Sequence, residues 1–503
     1  MVLFSHLAKT MLVAFALLSF SMTNGVAEPQ GTMRVAHDVG KGARSSLDPI
    51  DPGRIIEIAE KTMNRLIRPG SDGRPSADLA YEWETDAAGR TWTIYLRDGV
   101  RFHDGSTLDA ADVIYSLKRV LDPKRDNPAR SVIEAIVSLE AVDEMTIEIG
   151  LKWPFVDFPL QLMDSRLRII PEGSDETIAK TGIGTGPFKV EKFDADGITT
   201  LTANTDYWEG VPKLEKIEVI GIPDSNTRLQ AFLAGQIDME RGIKPVMRRA
   251  LQRSPRYVVQ AIPTGNWSGL VFLNDVAPFD DPKVRKALRK VVDREEMLKL
   301  ALDGGGIISC DNPVAPDDQY KAQQECQQDI EGAKALLAEA GYPNGIDVTI
   351  HVAPIDGVWS SMAVVYQQQA AKAGIRVKIV NAASDGYWSE IWMKKDSFAT
   401  SWGARPADQA LSEAFASDAK WNESHYYDET FDVLISKARL EVEFERRRQS
   451  YISAQKYLAE TTGTLIPFHR SQLVALSPRV TGIPAMTGDR IKWHLVGIID
   501  GGS

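Results

Sequence analysis

The residues able to do chemistry in this chain are few and scattered. There are seven histidines, two cysteines and a crowd of tryptophans in the last third. No Gly-x-Ser-x-Gly elbow, His-Glu-x-x-His pair or Walker lysine occurs. The spacings that assemble a nucleophile with its base, a catalytic zinc or a P-loop are therefore missing. Gly182, Gly184 and Gly186 make a glycine-rich stretch, but Pro187 and a strand pattern follow where a phosphate cradle needs a helix N-terminus. A tight bend is the expectation there. His103 lies beside Asp104 in a turn, a structural setting. His425, in Asn422-Glu423-Ser424-His425-Tyr426-Tyr427, is placed to face a cleft. Asp280-Asp281 opens a helix, where capping accounts for the carboxylates. Trp388, Trp392, Trp402, Trp421 and Tyr426 combine large apolar faces with polar handles. Trp402, Trp421 and Tyr426 fall in loops and are candidates for the wall of a ligand site. This inventory points to binding rather than catalysis.

Cys310 and Cys326 are the two cysteines, and the stretch between them, rich in Pro, Asp and Gln, reads as a loop. In an exported protein they can form a disulfide, worth about 3 kcal/mol for a loop of this size. Without a second pair or a histidine cluster nearby, neither a metal site nor a cofactor is expected.

The elements that must position these residues alternate between strand and helix. Residues 33–37 read as a short strand, followed by a polar Gly-rich segment at 38–46. Ile58, Ala59, Met63 and Leu66 fall at helical spacing. Trp92, Ile94 and Leu96 alternate with Thr93, Tyr95 and Arg97, which predicts a strand after the turn at 86–90. Asp109 starts a helix carrying Val113, Leu117 and Val120 on one face. Strands are also predicted at 189–203 (a pair), 216–222, 270–273, 346–352 and 375–380. Helices are predicted from Asp224, from Asp281-Pro282, over 362–372 and over 440–461. Such alternation means α/β lobes with helix-covered sheets.

At 503 residues the chain is too long for one ordinary domain. Its net charge of −11 argues against a nucleic-acid partner. Residues 1–27 resemble an export signal: Lys9, an apolar run at 11–20, and small residues Gly25 and Ala27 before Glu28. That run is too short to span a membrane, and no cysteine near the cleavage site can accept a lipid. A free, unlipidated, monomeric periplasmic protein is the expectation.

Five separated motifs carry a resemblance over nearly the whole remaining chain. They are Ser46-Leu47-Asp48-Pro49; Leu79 to Trp83 with Thr91 to Arg97 and Gly99 to Gly105; Gly184-Thr185-Gly186-Pro187-Phe188 with Asn204 to Trp208; Ala231 to Asp238; and Pro278 to Leu288. In this order they resemble family 5 of the extracellular solute-binding proteins of ABC importers, which includes dipeptide-, oligopeptide- and nickel-binding members. The resemblance implies an α/β, two-lobed periplasmic binding protein fold (type II-like), with a hinge and an additional domain. The first lobe would comprise 28–71, 181–268 and 472–503, the additional domain 72–180, and the second lobe 269–471. It implies capture of a peptide or peptide-like solute between closing lobes. The partners would be ABC permease subunits with their ATPases. An opine, sugar conjugate, phosphate-bearing solute or metal chelate is the alternative ligand. A periplasmic hydrolase is the alternative class, and a sensory binding protein a further one.

Peptide-binding relatives place an aspartate after a Trp-x-Ala/Gly step to receive the peptide ammonium. Here the matching segment reads Trp402-Gly403-Ala404-Arg405-Pro406. This charge reversal predicts a ligand that is anionic, or that lacks a free ammonium at this position. Asp408 is the local partner for Arg405, or a substitute ammonium acceptor. The candidate ligand contacts are Arg405, Trp402 and Asp408, with Trp388, Asn422, Tyr426, Trp267 and His37.

Overall fold

A computed structural model describes residues 28–37, 46–51, 55–125, 127, 129–384 and 386–499. The export segment at 1–27 and most of the polar segment at 38–46 lie outside these residues.

The backbone is organised by one sheet of eleven strands that serves two bodies. At one side lie Ile375–Asn381, Ile346–Val352 and Ser397–Trp402. At the other lie Met239–Glu240, Thr32–His37, Lys216–Gly221, Ile198–Ala203 and Phe188–Lys192. Two long antiparallel strands, Val258–Phe272 and Thr464–Leu476, join them. One end of Val258–Phe272 pairs with Ser397–Trp402, and the far end of Thr464–Leu476 pairs with Met239–Glu240. Each long strand therefore has one end in each body. Their register runs from Val258↔Leu476 to Pro263↔Ser471 and resumes at Trp267↔His469. The extra residues form a bulge, which bends a strand and re-aims its side chains.

Apolar burial follows this division. Met33, Val35, Leu201, Ile217 and Val219 make one core. Val284, Leu288, Ile350, Trp359 and Tyr366 belong to another, where the helices Pro282–Lys290 and Gly357–Ala371 cover the sheet. A third is built from a separate four-stranded sheet, ordered Ala80–Thr85, Thr91–Leu96, Thr146–Leu151 and Ile136–Asp143. Trp92, Ile94 and Leu96 pack there against Val113 and Leu117 of the helix Ala110–Leu121. Asp109 caps that helix by accepting from the N–H groups of Ala111 and Asp112.

Three predicted helices differ from the structure, the first because it ends at Thr62, leaving Met63 extended and Leu66 beyond the helix. Gly357–Ala371 begins five residues before the predicted start, because Asp356 caps it through the Val358 N–H at 3.0 Å. The predicted helix over 440–461 becomes the end of Glu429–Leu440 and a new helix, Phe444–Thr461. Glu443 restarts the chain by accepting from Glu445 and Arg446 N–H groups. Among the described residues no helix is long and apolar enough to cross a membrane.

Candidate functional site

The bulge faces a cavity of about 1070 Å³. Its walls come from all three bodies: Gln161 and Met163 to Arg166 beside the four-stranded sheet, Arg241 to Pro245 with Thr487, Asp489 and Arg490 from the first, and Asp317, Asp356 and Ala404 to Pro406 from the other. The volume is at the upper end of what small-molecule clefts provide.

Local bonds fix the floor. Thr264 Oγ1 donates to the Arg470 carbonyl at 2.7 Å and accepts from Asn266 N–H at 3.1 Å. Asn266 Oδ1 accepts from Ala404 N–H at 2.8 Å, which ties the bulge to the segment that begins at Trp402. Gly265 leaves no room for a side chain, since a Cβ there would lie 2.6 Å from Ala315 Cβ and 2.9 Å from Ala404 Cβ. Asp356, at its helix N-terminus, accepts from Ser401 Oγ at 2.8 Å and Arg470 Nη1 at 2.6 Å.

The lining is highly charged and largely self-compensated. Arg166 pairs with Asp164 at 2.6 Å, Arg470 with Asp356 at 2.6 Å, and Arg490 with Asp317 at 2.8 Å. Arg241 reaches Glu57 at 2.8 Å and Glu60 at 3.0 Å. The Arg490–Asp317 pair spans the cleft. A further bridge lies beside it. Tyr320 Oη donates to Asp157 at 2.7 Å, and Arg447 lies 3.3 Å from the same carboxylate.

Of the eight residues singled out by sequence, Arg405 lines the cavity and the others do not. Arg405 Nε binds Glu413 at 2.6 Å, and its guanidinium lies 5.1 Å from the centre of the Trp402 ring. Its partner is thus Glu413, five residues beyond the expected Asp408. Asp408 instead faces the protein interior, accepting from Arg439 Nη2 at 2.9 Å and Tyr451 Oη at 3.0 Å. Trp402 stacks on the buried Trp267 at an interplanar angle of 15° and donates to Glu423 at 2.8 Å. Asn422 and Tyr426 are buried, and Asn422 holds the backbone of Tyr426 through two 2.8 Å bonds. Trp388 is exposed and packs edge-on against Trp392. His37 is buried at the end of its strand. Trp392 and Trp402 therefore converge on Glu423, and among the described residues no tryptophan lines the cavity. His425 sits 3.0 Å from Asp275, and among the described residues no group of three or more His, Cys, Asp or Glu side chains is placed to hold a metal.

Cys310 and Cys326 are bridged, with a Cα–Cα distance of 5.5 Å. The loop they close carries Asp317 and Asp318 into the cavity lining. No spacing in the sequence links Arg470, Asp356 and Arg241, which come from distant segments. The Asp356-Gly357 step was the one local signal, as a helix cap.

Residues 74–423 match the family model described as bacterial extracellular solute-binding proteins, family 5. The chain is 27% identical over 465 residues to the glutathione-binding protein GsiB of Pectobacterium atrosepticum, covering 88% of this chain and 90% of that one. It is 28% identical over 482 residues to heme-binding protein A of Haemophilus influenzae, covering 86% and 87%. The crystal structure of the ABC transporter substrate-binding protein CtaP from Listeria monocytogenes superposes with a TM-score of 0.83 at 22% identity, covering 94% of this chain and all of that one. The fold is accordingly that of the two-lobed periplasmic binding proteins, mixed α/β in content.

Proposed function

The chain belongs to the bacterial extracellular solute-binding proteins of family 5, which serve ABC importers, and we propose that it captures a peptide-like solute in the cleft between its lobes. The observation that carries this is the roughly 1070 Å³ cavity at the bulge of the two strands that join the lobes. A ligand bound there touches every body of the molecule and so favours the closed arrangement. The glutathione-binding relative supports a solute of peptide character. The bodies that move are 28–71 with 181–268 and 472–503, 72–180, and 269–471; the three separate cores support that division. The solute is carried unchanged, handed to permease subunits with their ATPases by a monomeric protein. Export by residues 1–27 without lipidation completes the reading.

The test is titration calorimetry on protein stripped of ligand by denaturation and refolding. Glutathione and a panel of di- and tripeptides are the probes. The expected result is saturable binding of at least one of them with one site per chain. Absence of heat from the whole panel removes the peptide reading.

A further inference from the structure

We propose that Asp318 is the seat for a protonated amine on the captured solute, an inference that rests on the reading of the cleft as the capture site. The charge balance of the lining carries it. Arg166, Arg241, Arg405, Arg470 and Arg490 all line the cavity, and each is already paired with a carboxylate. Asp318 lines the same cavity. Among the described residues no Lys, Arg or His nitrogen lies within the 4.0 Å of an ion pair from it. Its two oxygens each accept one backbone N–H, from Tyr320 at 2.8 Å and from Ala407 at 2.9 Å. A carboxylate offers about four acceptor directions, so both oxygens keep capacity after these bonds.

The neighbouring cation, Lys321, interacts with Asp318 through space but forms no ion pair with it. Lys321 donates to the Val314 carbonyl at 2.8 Å, and burial holds its ammonium down at about 8, with Asp318 opposing that shift. Burial pushes the Asp318 carboxyl up to about 6 against its two N–H bonds, and the charges of Asp157 and Asp317 add to the rise. Of the remaining charged lining residues, Lys244 is exposed and donates to Asn226 at 2.9 Å, and Asp489 lies in the field of Arg241. Closure of the cleft removes water from Asp318, and an uncompensated buried carboxylate is unfavourable. A ligand ammonium would neutralise it through charge-assisted hydrogen bonds. Asp318 also grips Ala407, two residues past Arg405, so it delivers a carboxylate to the segment where Arg405 stands. With Arg405 committed to Glu413, that arginine no longer argues for an anionic ligand.

Thermal-shift titration of the full chain and of Asp318→Asn tests the proposal. The probes are glutathione and tripeptides with free N-termini, the same compounds N-acetylated, and the non-peptide amines putrescine and glucosamine. The expected result is that amine-bearing probes bind the unsubstituted protein about tenfold or more tightly than blocked ones, and that Asp318→Asn abolishes this preference. If putrescine or glucosamine alone binds and Asp318→Asn loses it, the peptide reading falls and the amine seat stands. If acetylated peptides bind as well as free ones, or the preference survives in Asp318→Asn, the amine seat falls and the peptide reading stands. No stabilisation by any amine-bearing probe overturns the amine seat too. Should Asp318→Asn fail to fold, the acetylation pairs on the unsubstituted protein decide alone, equal affinities overturning the proposal.

Discussion

Glu423 shows how one buried side chain organises the aromatic layer that sequence alone assigns to the ligand. It is fully buried and accepts from Trp392 Nε1 at 2.6 Å, Trp402 Nε1 at 2.8 Å and Thr400 Oγ1 at 2.8 Å. All three donors are neutral. Burial therefore prevails, and the carboxyl is pushed up to about 7. A folded-state pKa above the unfolded value means that protonation favours folding. This contribution is complete below about 4.5 and is lost as pH rises through about 7. Chemical denaturation of the protein and of Glu423→Gln at pH 5 and pH 8 checks this. The stability of the unsubstituted protein, measured relative to the variant, should fall by roughly 1 to 3 kcal/mol from pH 5 to pH 8. A difference that is the same at both pH values contradicts the assignment. Nothing local in Asn422-Glu423-Ser424 signals this role, because its donors lie 21 to 31 residues away in the chain.

At the scale of elements, local signals are legible where the sequence carries its own chemistry. Period-two alternation at Trp92, Ile94 and Leu96 became the strand Thr91–Leu96. Asp281-Pro282 became the N-terminus of Pro282–Lys290, with Asp281 accepting from Lys283 N–H at 2.7 Å. The two long joining strands were not legible as such. Only 270–273 stood out within Val258–Phe272, because Thr264, Gly265 and Asn266 interrupt the pattern with residues a bulge needs. The cleft was hidden for the same reason. Its residues come from strand bulges, a disulfide loop and helix starts that meet only in the folded chain. Gly265→Ala tests the joint directly. Its new methyl would press on Ala315 and Ala404, and overpacking of this kind costs about 1–3 kcal/mol. Thermal melts should show the loss, and affinity for whichever peptide binds should weaken with it. An unaltered melting temperature would mean that the two lobes do not meet at Gly265 as described.

At the scale of the whole molecule, polar bridges join the separate bodies across the cleft. The bridge from Asp157 to Tyr320 and Arg447 is a buried one. Asp157 belongs to the body of the four-stranded sheet, and its partners to the second lobe. Removing one member of a buried ion pair leaves the other unmatched, at about 3–5 kcal/mol if it stays buried. Here opening the cleft rehydrates Arg447, and the lobe cores are untouched. Asp157→Ala should therefore raise the radius of gyration in small-angle scattering while the melting temperature changes little. A lower melting temperature at constant radius contradicts the bridge as a latch.

The claim on which these rest is that one cleft takes up one small solute. Native mass spectrometry of ligand-stripped, refolded protein exposed to a peptide digest measures it most directly. A saturating adduct of one peptide-sized molecule per chain, enriched for free amines, is the expected result. Protein that takes up nothing, or that accumulates several copies without saturating, contradicts it.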